Sequence, residues 1–203
     1  SLPYSTSSAA SPVVGDDIVY GSAAYGVGSG AARLARAGAT VAASEAWRAP
    51  GANMNHWATP VYHQGHLYGI YGQSILSLRC IELASGTEKW RQGGVGYGSV
   101  LLVSDRVLVL AEDGTFLAVE PDPTGYRELA RFKAVAGKCW NAPAISHGRI
   151  YVRSTTEAAC YDVSTVPPAK LKLTPSFANG RIQLFIDSDD GSSLDPGRAA
   201  KIE

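Results

Sequence analysis

The stretch HWATPVYHQGHLYGIYG, residues 56–72, decides the fold because it recurs along the chain. Residues 96–112 read GYGSVLLVSDRVLVLAE, and residues 139–155 read CWNAPAISHGRIYVRST. Each copy has an aromatic residue, a short apolar strand, a polar turn and a second β-rich strand. Trp57 and Leu67, Tyr97 and Val107, and Trp140 and Ile150 are each ten residues apart. A fourth copy, SPVVGDDIVYGS at residues 11–22, fits with a turn one residue shorter, aligning Ile18 with Leu67, Val107 and Ile150. Repetition at a period of about forty residues points to stacked structural units.

Each unit continues in the same way. Alternating strands follow at residues 76–90 (LSLRCIELASGTEKW), 115–132 (TFLAVEPDPTGYRELARF) and 157–164 (EAACYDVS). Cys80, Ala118 and Cys160 share one register, with Glu82, Glu120 and Asp162 two residues on and hence on the same strand face. Ser-Gly or Thr-Gly turns come next, then a fourth strand with a large aromatic: Trp47, Trp90 or Phe132. Two hairpins per unit at this period predict an all-β protein, a β-propeller fragment of about four four-stranded antiparallel blades. The blades are expected at residues 11–57, 58–97, 98–140 and 141–164, within a partial propeller over residues 1–166. The last is expected to lack its outer strand, because Val166, Pro167 and Pro168 stand where that strand would begin. A strand upstream of Ser1, with further upstream blades of a longer protein, would then close the ring.

Residues 167–203 read as a linker and the start of a small β module, with a hairpin signal at Asn179 and Gly180. The acidic run DSDDGSSLD at residues 187–195 places Gly191 one position early for a calcium loop, and a solvated turn explains it better. The first residues have neither a basic nor an apolar region, so a signal peptide was removed or never lay in this segment.

Composition excludes several function classes. The 18 basic and 18 acidic residues balance, with no electrostatic footprint for nucleic acid. The longest apolar runs are too short for a transmembrane segment. Three cysteines, Cys80, Cys139 and Cys160, make a disulfide framework improbable. Cys80 and Cys160 read as packed thiols, Cys139 as partly exposed. His56, His63, His66 and His147 are scattered across repeats without metal spacing.

The segment RCIELASGTEKW, residues 79–90, resembles the A-x-D-x-x-T-G-x-x-x-W repeat of pyrroloquinoline-quinone (PQQ) propellers. Residues 54–69, 96–114, 125–132 and 148–153 are similar to PQQ-binding-like propeller proteins of planctomycete and verrucomicrobial bacteria. The superfamily includes quinone-dependent alcohol and sugar dehydrogenases, and the non-catalytic propeller lipoprotein of the outer-membrane β-barrel assembly machine. The resemblance implies an extracytoplasmic location (periplasmic, secreted or cell-surface). It also implies that Trp47, Trp90 and Phe132 dock neighbouring blades.

In propellers, the loop before each innermost strand lies where the central channel opens. The binding candidates are therefore Asn55, His56, Trp57, Tyr97, Lys138, Cys139, Trp140 and Asn141, an aromatic and amide-lined mouth for a planar or sugar-like ligand. Repetition in every blade also fits aromatics that simply plug the channel. No Asp or Glu adjoins these aromatics in sequence, and the vicinal cysteines of many alcohol-oxidising members are absent. The expected function is thus a non-catalytic scaffold or binding module for a protein or carbohydrate partner, with no cofactor. The alternative is the C-terminal part of a PQQ-dependent alcohol or sugar dehydrogenase holding PQQ with calcium.

Overall fold

The computed structural model describes residues 9–163 and the backbone of two further strands, residues 170–178 and 181–188. All described regular structure is β. The first sheet contains β1 (Val13–Gly15), β2 (Ile18–Ala23), β3 (Gly28–Ala37) and β4 (Thr40–Pro50). The second contains β5 (Val61–His63), β6 (His66–Tyr71), β7 (Ser77–Glu82) and β8 (Glu88–Gln92). The third contains β9 (Gly98–Val103), β10 (Arg106–Ala111), β11 (Thr115–Val119) and β12 (Glu128–Lys133). The fourth contains β13 (Ala144–Ser146), β14 (Arg149–Arg153), β15 (Ala158–Asp162), β16 (Lys170–Ala178) and β17 (Arg181–Ser188). Each sheet is an antiparallel meander with strands in sequence order. Four successive meanders are propeller blades.

Two expectations are corrected. The fourth sheet does not stop at three strands: β16 pairs antiparallel with β15 from Ala158↔Leu173 to Tyr161↔Lys170, and β17 adds a fifth strand. The chain past the prolines, from Lys170, pairs in the same sheet. The outer position reserved for a strand upstream of Ser1 is thus filled. Residues 164–169, Asn179, Gly180 and most of the acidic run lie outside the described residues. The first hairpin also has the same two-residue turn as the others. Gly15↔Ile18, His63↔His66, Val103↔Arg106 and Ser146↔Arg149 are matching pairs, so Val19, not Ile18, matches Leu67. Asp16 and Asp17 both take positive φ, as do Gln64 with Gly65 and His147 with Gly148, the geometry that lets a tight turn follow the twist of its strands.

The second strand of each blade organises the core. Successive side chains on a strand point to opposite faces, and in an interior blade both faces meet another sheet. Ile18 and Tyr20 of β2 pack with Leu67, Tyr71, Ile81 and Leu83 of the second blade and its β7–β8 turn. Tyr68 and Ile70, one register step away on β6, pack instead with Val107 and Val109 of the third. Leu108 and Leu110 of β10 then meet Ile150 and Val152 of the fourth. Leu67, Val107 and Val109 are fully buried, each contributing about 1.5–3 kcal/mol relative to an exposed side chain.

The fourth-strand aromatics lie over these junctions. Trp47 Nε1 donates to Leu83 O at 2.8 Å, and its ring covers Gly86, where an added Cβ would sit 2.7 Å from the indole. Gly86 also takes φ +75°, so this turn needs glycine twice over. Trp90 Nε1 donates to Asp122 O at 2.7 Å, and its ring meets Tyr126 edge-on. Phe132 has no N–H; it meets Tyr161 edge-on at 5.0 Å, and Tyr161 donates its hydroxyl to Ala134 O at 2.6 Å.

Trp90 is only partly buried, so Trp90→Ala should cost about 2–4 kcal/mol, below the range for a full cavity. Trp90→Phe, which keeps the ring but orphans Asp122 O, should cost about 1 kcal/mol. Urea unfolding followed by circular dichroism measures both.

Candidate functional site

Strand direction places the β2–β3, β6–β7 and β10–β11 loops, together with the links between blades, at one end of the arc. The first-hairpin turns lie at the other end. In register, Trp57, Tyr97 and Trp140 occupy equivalent positions, each four residues before the partner of the strand-two residue Tyr68, Leu108 or Tyr151.

Their surroundings differ. Trp57 stacks on Tyr97, with ring centroids 4.9 Å apart and planes 19° from parallel. His56 meets Trp57 edge-on at 4.7 Å, and Tyr25 meets His56 edge-on at 4.9 Å. Four rings from the β2–β3 loop and the two links that flank the second blade thus form an unbroken row. Gln73 straps it: its side-chain oxygen accepts from Gly26 N, and its backbone oxygen accepts from the Tyr97 hydroxyl, both at 3.1 Å. The cavity beneath, lined by Trp57, Ile70, Leu76 and Tyr97 among others, is about 10 Å³, space for one water at most. The stacked pair is therefore a filled ledge, and a ligand would lie on it rather than under it.

Trp140 stands apart and is 64% exposed. Its indole N–H donates to Glu112 Oε1 at 2.6 Å, and Lys138 Nζ lies 4.6 Å over its ring. Lys138 is also paired with Glu112 at 3.5 Å. An acid therefore does adjoin a mouth aromatic. Glu112 belongs to the preceding blade, and only the fold brings it alongside: Glu112 N donates to Tyr97 O, and Cys139 N donates to Glu112 O. Asn141 is half-buried and bonds its neighbour's carbonyl, Ala142 O.

Two other candidates are not at the surface. Asn55 is fully buried. Its Oδ1 lies 2.8 Å from the Tyr20 hydroxyl, its Nδ2 donates to Ile70 O at 2.8 Å, and its backbone N donates to Ser22 Oγ at 2.7 Å. It joins the first blade to the second, and at 0% exposure it is out of a ligand's reach. Cys139 is 1% exposed within the core between the third and fourth blades, with its backbone N donating to Glu112 O. Cys80 and Cys160 are buried as well.

Arg79 was not legible as a special residue. It is 8% exposed, with Nε donating to Ser77 Oγ at 2.8 Å and Nη1 reaching Asn53 Oδ1 at 3.3 Å and Glu88 Oε2 at 3.2 Å. Glu88 also accepts from Arg91, and that bond, with Arg79 behind it, holds its carboxyl below the usual range. A buried charge with three partners belongs to the frame rather than to chemistry. The clue in the sequence is an Arg set between the apolar Leu78, Cys80 and Ile81 of the strand SLRCIE. Among the described residues, no cluster of three or more His, Cys, Asp or Glu could hold a metal, and no helix is long and apolar enough to cross a membrane.

No protein-family model and no curated protein matches the chain. Among solved structures it is similar to BamB from Moraxella catarrhalis, with a TM-score of 0.54 and 17% identity over 78% of this chain and 55% of that one. A computationally designed protein, Ika8, aligns with a TM-score of 0.48 and 12% identity over 88% of this chain and 70% of that one. The chain spans about half the length of BamB. At this identity the first likeness shows the fold, a β-propeller.

Two outcomes follow from the buried groups. Burial pushes the Cys80 thiol up to about 11 and raises those of Cys139 and Cys160. At pH 8 the native thiols should therefore stay unreactive toward DTNB, with all three titrating in urea. Asn55→Ala removes the bonds to Ile70 O and to the Tyr20 hydroxyl, which keeps Asn53 O, and should lower unfolding free energy by about 2 kcal/mol in urea melts.

Proposed function

We propose that the chain is a non-catalytic propeller module that binds a partner protein at the mouth end of its blades. One observation carries this reading: three of the exposed large apolar side chains, Tyr25, Ile75 and Trp140, sit in loops or links at that end. Tyr25 heads the Tyr25–His56–Trp57–Tyr97 row at the same end. Exposed Trp and Tyr beside a packed apolar base, rimmed by charge, is the chemistry of protein-interface hot spots. Glu112 and Lys138 hold the Trp140 ring upright before any partner arrives, which lowers the ordering cost of binding.

The propeller likeness to BamB supports a scaffolding role in kind. With the PQQ-type resemblance of residues 79–90, it favours an extracytoplasmic setting. A carbohydrate partner would use the same ring faces, so it is the competing occupant. The acid beside the exposed indole, Glu112, is held by Trp140 and Lys138, which favours a positioning role over PQQ chemistry.

Photo-crosslinking side chains placed at Ile75 and Tyr25 in the native host should give discrete protein adducts, while the same label at Arg131 on the outer strand gives none. The Trp140→Ala and Trp57→Ala variants should weaken adduct formation at least about tenfold, the effect of losing one hot spot. Calorimetric binding of soluble oligosaccharides that Trp57→Ala abolishes, with no protein adduct, would move the assignment to carbohydrate.

A further inference from the structure

The outer strands of the blades are not alike. In β8 the sequence is EKWRQ, with Glu88 and Arg91 paired at 2.8 Å. In β12 it is ELARFK, with Glu128 and Arg131 paired at 2.8 Å. Short, charged edges of this kind resist pairing with another chain. In contrast, β4 has 11 residues, and its first five, Thr40–Ser44, carry no charge and no proline. It also outruns its own sheet. The last pair between β2 and β3 is Ile18↔Arg33, whereas β3 and β4 stay paired through Leu34↔Ala43, Arg36↔Val41 and Ala37↔Thr40. The result is a two-stranded ribbon at the end opposite the mouth, with Val41 65% exposed and no strand among the described residues on the outer edge of β4.

We infer that this edge is a self-association surface, on which β4 pairs antiparallel with β4 of a second copy, centred on Ala43. Charge and shape together select that occupant. Val41, Ala43 and Glu45 lie on one face of β4, in line with Arg36 and Leu34 of β3. Centring on Ala43 sets Val41 opposite Glu45 of the partner subunit. Arg36 and that carboxylate are then in one row, two strand spacings or about 10 Å apart, with only a valine between them. Arg36 makes no ion pair among the described residues, unlike Arg48, Arg91 and Arg131. Glu45 is exposed and holds only Arg48, at 2.7 Å, so its carboxylate can accept a second guanidinium. The two-fold makes this exchange twice. The small side chains of Ala42, Ala43 and Ser44 leave the ladder unobstructed and no like charges face each other. The paired ribbons join two first blades into one continuous eight-stranded sheet.

Sedimentation velocity of the full chain tests this. A monomer–dimer equilibrium is expected between about 5 and 500 µM, in keeping with a small interface. Val41→Lys and Ala43→Lys each should raise the dissociation constant at least about tenfold with unchanged circular dichroism. Arg36→Glu alone should weaken the dimer, and combining it with Glu45→Arg should restore it, which a merely destabilised ribbon would not do. A chain that stays monomeric over this range, or a dimer indifferent to both lysine variants, overturns the inference. So does a monomeric chain whose β4 edge binds an acidic, strand-forming Glu-Val peptide, since the edge then serves a different partner.

Discussion

Neighbouring blades are held together by a division of labour along each second strand. On β6, Leu67 belongs to the junction with the first blade and Tyr68 to the junction with the third; on β10, Val107 and Leu108 divide in the same way. Both faces must therefore be apolar at once, and a slip of one residue would exchange the two sets. This constraint explains the nearly continuous apolar run of RVLVLA where a half-exposed strand would alternate. It also places every loop of one kind at one end, so the mouth is a consequence of blade packing rather than a separate device.

On that base, the junction between the first and second blades carries an added polar layer. Tyr20, Asn53, Asn55, Ser77, Arg79 and Glu88 link the two sheets through side chains that sequence alone would assign to a surface or a ligand site. Their mutual satisfaction makes burial tolerable. Asn55, next to His56 in the chain, ties this layer to the link that carries His56 and Trp57.

Much of the fold was legible because the repeat is carried by backbone turn chemistry and strand alternation, both local. QG and HG turns and ten-residue aromatic intervals can be read without knowing any contact. What failed was non-local. Ile18 was matched to Leu67 because both head apolar runs, yet hydrogen-bond register pairs Gly15 with Ile18 and makes Val19 the true counterpart. Pro167 and Pro168 signal the end of a blade locally, whereas the pairing of β16 with β15 is a contact that no local signal carries. At the site, Trp57, Tyr97 and Trp140 were found as equivalent positions, but their neighbours were not. Asn55 and Cys139 flank them in sequence and point inward, while Glu112, 28 residues from Trp140, completes the exposed indole.

The direction of the inter-blade hydrogen bonds bears on how the protein is made. At the first two junctions the donor indoles, Trp47 and Trp90, belong to the earlier blade and the accepting turns to the later one. At the third, the donor Tyr161 is on the later blade and the acceptor, Ala134 O, lies in the link preceding it. In every case the missing partner arrives with the next blade, and until then water serves the waiting group. Among the described residues, none of these three bonds waits on a segment beyond the blade it joins. A chain leaving the ribosome from its N-terminus can therefore lay down one blade at a time, each docking onto a finished template.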